Sequence, residues 1–171
     1  MRRSMFAAAL TAVVVLAAAT GAGAATAPSP SYQVAGIATV TQGSTLSLNG
    51  FATGSTGDRG FWRATISTVP LAGCSSMGTS CAITGGTLAL NSSNRSQVAG
   101  TVTGGSVALT AQAPGCGRQQ FTVNAVAATN AGDVAITAVL TQFRLSFRGT
   151  CFAFPGATVA GTLSVGLLPG G

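Results

Sequence analysis

Few side chains in this sequence can carry acid–base, nucleophilic or metal chemistry. The 171 residues include two acidic ones, Asp58 and Asp133, and contain no His, no Lys and no Glu. A Ser-His-Asp or Cys-His arrangement therefore cannot be built, and neither can a histidine metal site. Each Asp lies beside a Gly in a predicted turn, where Asp commonly hydrogen-bonds the local backbone. We interpret both as turn formers, and we expect a protein that is not an enzyme and needs no cofactor.

The four cysteines, Cys74, Cys81, Cys116 and Cys151, are the other reactive groups. Zinc binding is disfavoured because no CxxC spacing occurs and His is absent. In an exported chain, four cysteines indicate two disulfides, for which three pairings are possible. We favour Cys74 with Cys81 and Cys116 with Cys151, because each pair then brackets one local unit of the chain.

A ligand can also be bound without catalysis, and the segment at 59–63 (RGFWR) is the first candidate. Phe61 and Trp62 lie there between Arg59 and Arg63, next to a Gly-rich loop. Aromatic side chains at a loop edge can stack on sugar rings or anchor a partner. The alternative, which we favour, is that Trp62 or Phe61 anchors the core while the Arg side chains are solvated.

Three further cations, Arg118, Arg144 and Arg148, form the second candidate. Reflecting the predicted central hairpin about Ala131 places Arg118 opposite Arg144, with Arg148 further along the same face. Such a patch can bind phosphate or carboxylate groups of a cell-wall polymer. The alternative, which we favour, is that the charges protect an exposed sheet face from edge pairing. Nucleic-acid binding is not expected, since the Arg residues are scattered and form no basic stripe.

The elements that must position these residues are short strands, and the clearest pair is the central hairpin. Residues 119–129 alternate apolar and polar side chains, as a half-buried strand does. The sequence NAGD at 130–133 then indicates a turn, from which residues 133–148 return as the second strand.

The second strand of that hairpin changes its apolar phase. Val134 and Ile136 are apolar at even positions, whereas the apolar residues of the segment 143–147 are at odd positions. A strand can keep both sets on one face only through a bulge or bend. We therefore predict a bulge between residues 138 and 142.

The rest of the chain predicts more short strands joined by Gly-rich turns, including a tight hairpin turn at Gly104 and Gly105. No convincing helix follows the first 24 residues. The predicted fold class is all-β, an antiparallel β-sandwich or barrel of about nine strands with two disulfides, and periodicity does not choose between the two. The predicted strands are 32–41, 44–51, 61–69, 82–90, 96–103, 106–112, 119–129, 133–148 and 157–167.

The first residues have the features of a secretory signal peptide. A basic Arg2-Arg3 pair precedes an apolar run at 5–19, and small residues lead to a predicted cleavage after Ala24. We predict a signal peptide at 1–24, which leaves a linker at 25–31 and a single secreted β domain at 32–171. The Arg pair leaves twin-arginine export open, although the position of Phe6 favours the general route.

Charge and composition extend the prediction of export. The part after Ala24 carries six Arg and two Asp residues, a net charge of +4. Arg without Lys, together with abundant Ala, Gly, Thr and Val, is typical of exported proteins of high-GC bacteria. The first cysteine is Cys74 and no sortase motif is present, so we expect no membrane anchor after cleavage.

These features predict a non-catalytic secreted or cell-envelope-associated β protein with a structural or adhesive role. One alternative is a binding module for an anionic or carbohydrate ligand, with a cell-wall polymer or another envelope protein as partner. A second alternative is a pore-type β-barrel of the envelope. Most predicted strands are about seven to nine residues long, near or below the ~9–11 residues that a tilted strand needs to cross a bilayer, which counts against the pore.

Overall fold

The computed structural model describes residues 30–41, 43–74, 76–93 and 97–166, which form a closed barrel of eight antiparallel strands. The strands follow one another around the barrel in chain order, and the last pairs with the first to close it. One short 3-10 helix, Leu71–Cys74, follows the third strand. The strands are β1 (Ser31–Thr41), β2 (Thr45–Gly54), β3 (Arg59–Thr68), β4 (Ser80–Ser92), β5 (Val98–Gln112), β6 (Arg118–Thr129), β7 (Gly132–Phe147) and β8 (Thr150–Val165).

The predicted all-β antiparallel class is confirmed, and the structure selects the barrel over the sandwich. The central hairpin is confirmed as β6 and β7, which pair from Thr129 and Gly132 at the turn outward. The predicted signal peptide at 1–24 lies outside the described residues, as does the linker up to residue 29.

Alternation along each strand directs one set of side chains into an apolar interior and leaves the other set on the outer surface of the barrel. In β2, for example, Leu46, Leu48 and Ala52 are buried while their neighbours are partly or fully exposed. Removing apolar side chains from water drives this arrangement, and the period of two in a strand directs them all inward. In an eight-stranded barrel the interior is just wide enough for side chains to fill it.

Glycines in the strands allow the sheet to curve tightly. Gly36 in β1 pairs with Gly50 in β2, and a Cβ atom on Gly36 would overlap the carbonyl oxygen of Asn49. A Cβ atom on Gly50 would likewise overlap the carbonyl oxygen of Ala35. In β3, Trp62 lies opposite Gly50 of β2. The largest side chain of the core is therefore paired with a residue that has no side chain.

The hairpin turn predicted at Gly104 and Gly105 is wrong. β5 continues through both residues, and its pairing with β6 shifts register between Val102 and Gly104. Gly105 has a φ of 134°, and a Cβ atom there would overlap the carbonyl oxygen of Asn124. The two glycines therefore lie at a bulge-type irregularity within one long strand, which is why the described residues form eight strands and not nine.

The bulge predicted between residues 138 and 142 is also wrong. The pairing of β7 with β8 is regular from Val134 to Gln142, and its irregularity falls between Gln142 and Arg144. Even positions of β7 face inward up to Gln142. The phase change in the sequence has a different cause: the apolar residues at 143–147 lie on the outer face and are exposed.

Asp58 closes one end of the barrel. It lies in the turn between β2 and β3, as predicted, and its side chain is buried. The Thr56 and Ser92 hydroxyls donate to its carboxylate at 2.7 Å each, and the Tyr32 hydroxyl donates at 3.0 Å. These hydrogen bonds, led by those from Thr56 and Ser92, lower the pKa of Asp58 to about 2. The carboxylate thus joins β1, β4 and the turn, which is a structural role.

The depressed pKa gives an expected pH dependence of stability. A carboxyl group whose folded pKa is about 2, against a reference of 3.8, stabilises the fold fully above about pH 4 and loses that contribution as the pH falls toward 2. The chain has no His and no Glu, so the midpoint of thermal unfolding should be nearly constant from roughly pH 5 to 8.

Circular dichroism melts at a series of pH values would check this expectation. Asp58→Asn should lower the melting temperature at neutral pH and flatten its decline below pH 4. The exposed Asp133 supplies the matched control, and Asp133→Asn should melt as the wild type does. An Asp58→Asn variant with the acid profile of the wild type would contradict the assignment.

Candidate functional site

The end of the barrel opposite Asp58 carries both disulfides, and we call it the open end. Cys74 and Cys81 are bonded with a Cα–Cα distance of 5.3 Å, and so are Cys116 and Cys151. Both predicted pairings are confirmed. The first bridge closes the loop between β3 and β4, whereas the second ties the β5–β6 loop to the start of β8.

A cavity of about 460 Å³ lies at the open end, within the size range of small-molecule sites. Residues from six strands converge on it, and the loop before β2 and the segment after β3, with the 3-10 helix, complete its wall. No charged side chain is among these lining residues, all of which the structure describes. They are Ala38, Val40, Gly43, Ser44, Leu46, Pro70, Leu71, Ala72, Val107, Phe121, Leu140, Gln142 and Ala157.

Small side chains and a fixed loop explain why space remains there. Ala38 in β1 and Ala157 in β8 are direct cross-strand partners, so two adjacent strands carry only a methyl group at this level. On the other side, Leu71 packs against the core and its backbone N–H donates to the carbonyl of Gly43 at 3.1 Å. The buried Cys74 disulfide holds this loop, so the wall is ordered before any ligand arrives.

The most polar lining residue is already engaged by the protein. Gln142 accepts a hydrogen bond from the Gln119 amide at 2.6 Å, and its own amide donates to the carbonyl of Phe154. The carbonyl of Ser44 accepts from the Thr68 hydroxyl at 3.1 Å. The cavity surface is therefore mainly carbon, which suits an apolar ligand and offers little to an ion.

Next to the cavity, β7 and β8 run past the barrel as a projecting hairpin, residues 143–154. Arg148 and Gly149 form its two-residue turn, with positive φ values of 50° and 78°, as a type I′ turn requires. One face, which we call the hairpin outer face, carries five large apolar side chains that are between 43% and 62% exposed. They are Phe143, Leu145, Phe147, Phe152 and Phe154.

The opposite face of the hairpin is held by the loop between β5 and β6. Cys151 is bonded there to Cys116, and the Arg144 guanidinium donates to the carbonyl of Gly115 at 2.8 Å. The backbone N–H of Arg144 also donates to the carbonyl of Gly117 at 3.1 Å. The hairpin is thus braced from one side only, and the apolar side is the other one.

The segment 59–63 is divided between the barrel core and the outer wall, where Phe61 lines one pocket with Arg63 and another with Arg59. Trp62 is 2% exposed and points into the barrel, which confirms it as a core anchor and removes it from any ligand at the outer surface. Phe61 is 62% exposed and packs against Phe51, with ring centroids 4.9 Å apart. Arg59 and Arg63 are exposed on the same wall. Alternation along β3 separates Trp62 from its neighbours.

The predicted placement of Arg118 opposite Arg144 is wrong by one residue. Arg118 pairs with Phe143, and a shift of one residue moves a side chain to the other face. The Arg118 guanidinium lies 5.1 Å from the Phe143 ring centroid, and that of Arg148 lies 5.4 Å from the Phe147 ring centroid. Arg144 is on the braced face, so the three cations do not share one patch.

The cavity and the hairpin outer face are the features that the sequence did not reveal. Within the described ranges, no cluster of three or more His, Cys, Asp or Glu side chains is placed to hold a metal ion. None of the described helices has the length and apolar character needed to span a membrane. Comparisons with known proteins found no matching family model, no matching curated protein and no matching solved structure.

Proposed function

We propose that this protein is a non-catalytic, exported binding protein whose barrel takes up a small apolar ligand at the open end. The observation that carries the proposal is the cavity of about 460 Å³ with an uncharged, mainly hydrocarbon wall. Burying apolar ligand surface there gains about 25 cal/mol per Å². The ligand class that fits is a hydrocarbon chain or ring whose polar group stays at the rim.

Two features support a place of action outside the cytoplasm. All four cysteines are paired, as is usual for proteins of oxidising compartments. The predicted signal peptide points the same way. We therefore propose secretion or association with the cell envelope, where the ligand would be a lipid or another hydrophobic envelope component. The absence of His, Lys and Glu from the sequence supports binding rather than catalysis.

The geometry supports this function better than the alternatives. A pore of this kind has polar side chains inside the barrel, whereas the interior of the described barrel is packed with apolar ones. An anion-binding site would need Arg118, Arg144 and Arg148 on one face. The pairing of β6 with β7 instead places Arg144 on the face opposite the other two. A purely structural or adhesive role gives no reason for an ordered cavity.

Filling the cavity is expected to abolish binding. Ala38 is 2% exposed and lines the cavity, so Ala38→Phe would place a ring in the space that the ligand needs. Titration with the apolar fluorophore N-phenylnaphthylamine should show saturable binding to the wild type. We expect Ala38→Phe to weaken it by at least about tenfold, because one buried apolar group contributes about 1.5 kcal/mol or more.

The matched control is Ala160→Phe, the same change at an exposed position of β8. It should bind the fluorophore as the wild type does, and melting curves would show that both variants fold. Straight-chain fatty acids should compete for the same site. Equal affinities of the two variants, or no saturable binding by the wild type, would overturn the proposed function.

A further inference from the structure

The hairpin outer face is a contiguous apolar surface that the rest of the barrel leaves exposed. Its five large side chains stay between 43% and 62% exposed, while the hairpin is anchored through its opposite face by Cys151 and Arg144. Phe147 and Phe152 contact each other across the strands, with ring centroids 6.5 Å apart. Contiguous exposed apolar patches of this kind mark interaction surfaces for proteins or membranes.

The two ends of the barrel differ in their charged residues, and this difference indicates the kind of partner. Arg118 and Arg148 flank the apolar face, each stacked on one of its rings. The only acidic residues of the chain are Asp58 and Asp133. Both lie at the opposite end, where β3 and β7 begin. The hairpin end is thus basic and aromatic. These properties complement a surface that has an apolar interior and an anionic outer layer.

We propose that the hairpin outer face docks on a lipid bilayer that contains anionic headgroups. The phenyl rings would enter the boundary between headgroups and acyl chains, and Arg118 and Arg148 would contact the phosphates. Burial of apolar area and attraction to anionic lipids add together in such interfacial binding. The inference stands on the hairpin and does not require the cavity to be occupied.

A second copy of the chain fits this face less well. In a symmetric dimer through the hairpin outer face, Arg118 and Arg148 would meet the same cations of the partner with no acidic residue nearby, and like charges at an interface are unfavourable. The described chain ends do not cover the face either. Ser31 pairs with Ser164 at the Asp58 end, and the 16 residues of β8 separate that end from the hairpin turn by about 50 Å.

The disulfide between Cys116 and Cys151 preorganises the hairpin for binding. Cys116 and the Arg144 hydrogen bond brace the strands from behind, so the rings are displayed on an ordered surface. A preorganised surface loses little conformational entropy on association. The same bond also fixes the hairpin beside the cavity, so a docked barrel would hold its open end toward the lipid.

Vesicle flotation of the intact protein tests the proposal. Wild type should float with vesicles of phosphatidylcholine and phosphatidylglycerol, should float weakly with phosphatidylcholine alone, and should dissociate as salt rises. Phe147→Ser with Phe152→Ser should weaken binding by about a hundredfold, from the loss of two buried rings. Arg118→Gln with Arg148→Gln should weaken it by roughly twentyfold and remove the preference for anionic lipid.

The control is Phe51→Ser with Phe61→Ser, which removes an equally exposed pair of rings from the side wall. It should float as the wild type does. Equal loss in both Phe pairs, or no flotation of the wild type, would overturn the proposal. A concentration-dependent dimer that Phe147→Ser with Phe152→Ser abolishes would overturn it in favour of a second copy. Unchanged N-phenylnaphthylamine binding in the hairpin variant would show that docking and the cavity are separate.

Discussion

Replacing Trp62 with Ala is expected to lower the free energy of unfolding by about 3–5 kcal/mol, as for other large aromatic residues removed from cores. Trp62 is among the largest fully buried side chains, and it lies opposite Gly50, which has no side chain to fill the space left behind. The neighbouring strands cannot collapse into that space without breaking their pairing. Urea unfolding followed by circular dichroism measures the change.

The matched control is Phe61→Ala, one residue away on the outer surface. Phe61 is 62% exposed, so its removal should cost no more than about 0.5 kcal/mol. Trp62→Phe should be milder than Trp62→Ala, because Trp62 Nε1 has no hydrogen-bond partner among the described residues and its loss costs no bond. Equal costs for Trp62→Ala and Phe61→Ala would contradict the inward placement of the indole.

Removing the bond between Cys116 and Cys151 is expected to destabilise the protein by about 4 kcal/mol, because closing a long loop restricts the unfolded chain. The two cysteines are 35 residues apart, and neither is buried, so Cys116→Ala with Cys151→Ala leaves no cavity in the core. Hydrogen exchange should also accelerate in the hairpin at 143–154, since the bond braces it.

The comparison variant is Cys74→Ala with Cys81→Ala. It removes a bond between cysteines that are only 7 residues apart in sequence. Chain entropy alone gives about 2.5 kcal/mol for that bond. Exchange in the hairpin should not change in this variant, whereas binding of the apolar fluorophore should weaken as the loop that carries Leu71 loosens. A hairpin with the same exchange rates in both variants would show that the second bond does not brace it.

Local patterns located most of the strands, because alternation and turn residues act over a few positions. The β6–β7 hairpin and both disulfides followed from them. The closure of the barrel did not, since the pairing of β1 with β8 joins distant parts of the chain and leaves no local signal. The hairpin turn predicted at Gly104 and Gly105 was wrong for a related reason. Glycine is typical both of tight turns and of irregular positions within strands, and the local sequence does not distinguish the two.

The site was harder to predict than the fold. An alternating run such as the one at 143–147 has the same pattern whether it faces a core or a partner, so its exposure could not be inferred. A register error of one residue then placed Arg118 and Arg144 on a common face. The cavity depends on Ala38, Ala157 and residues of four other strands meeting in space, which no single stretch of sequence encodes.

The open end combines two surfaces that are suited to the same kind of molecule. The cavity wall is mainly hydrocarbon, and the hairpin beside it displays apolar rings flanked by Arg118 and Arg148. We therefore propose that the barrel exchanges a hydrophobic ligand with a lipid layer. At the other end, the buried side chains of Asp58 and Trp62 stabilise the fold.

Nuclear Overhauser contacts between a bound fatty acid and the side-chain methyl groups of the protein would test ligand uptake most directly. If the barrel takes up the acyl chain, contacts should appear to Leu46, Val107 and Leu140, and they should vanish in Ala38→Phe while persisting in Ala160→Phe. Contacts confined to Leu145 in the hairpin, with none to the cavity wall, would contradict ligand uptake by the barrel.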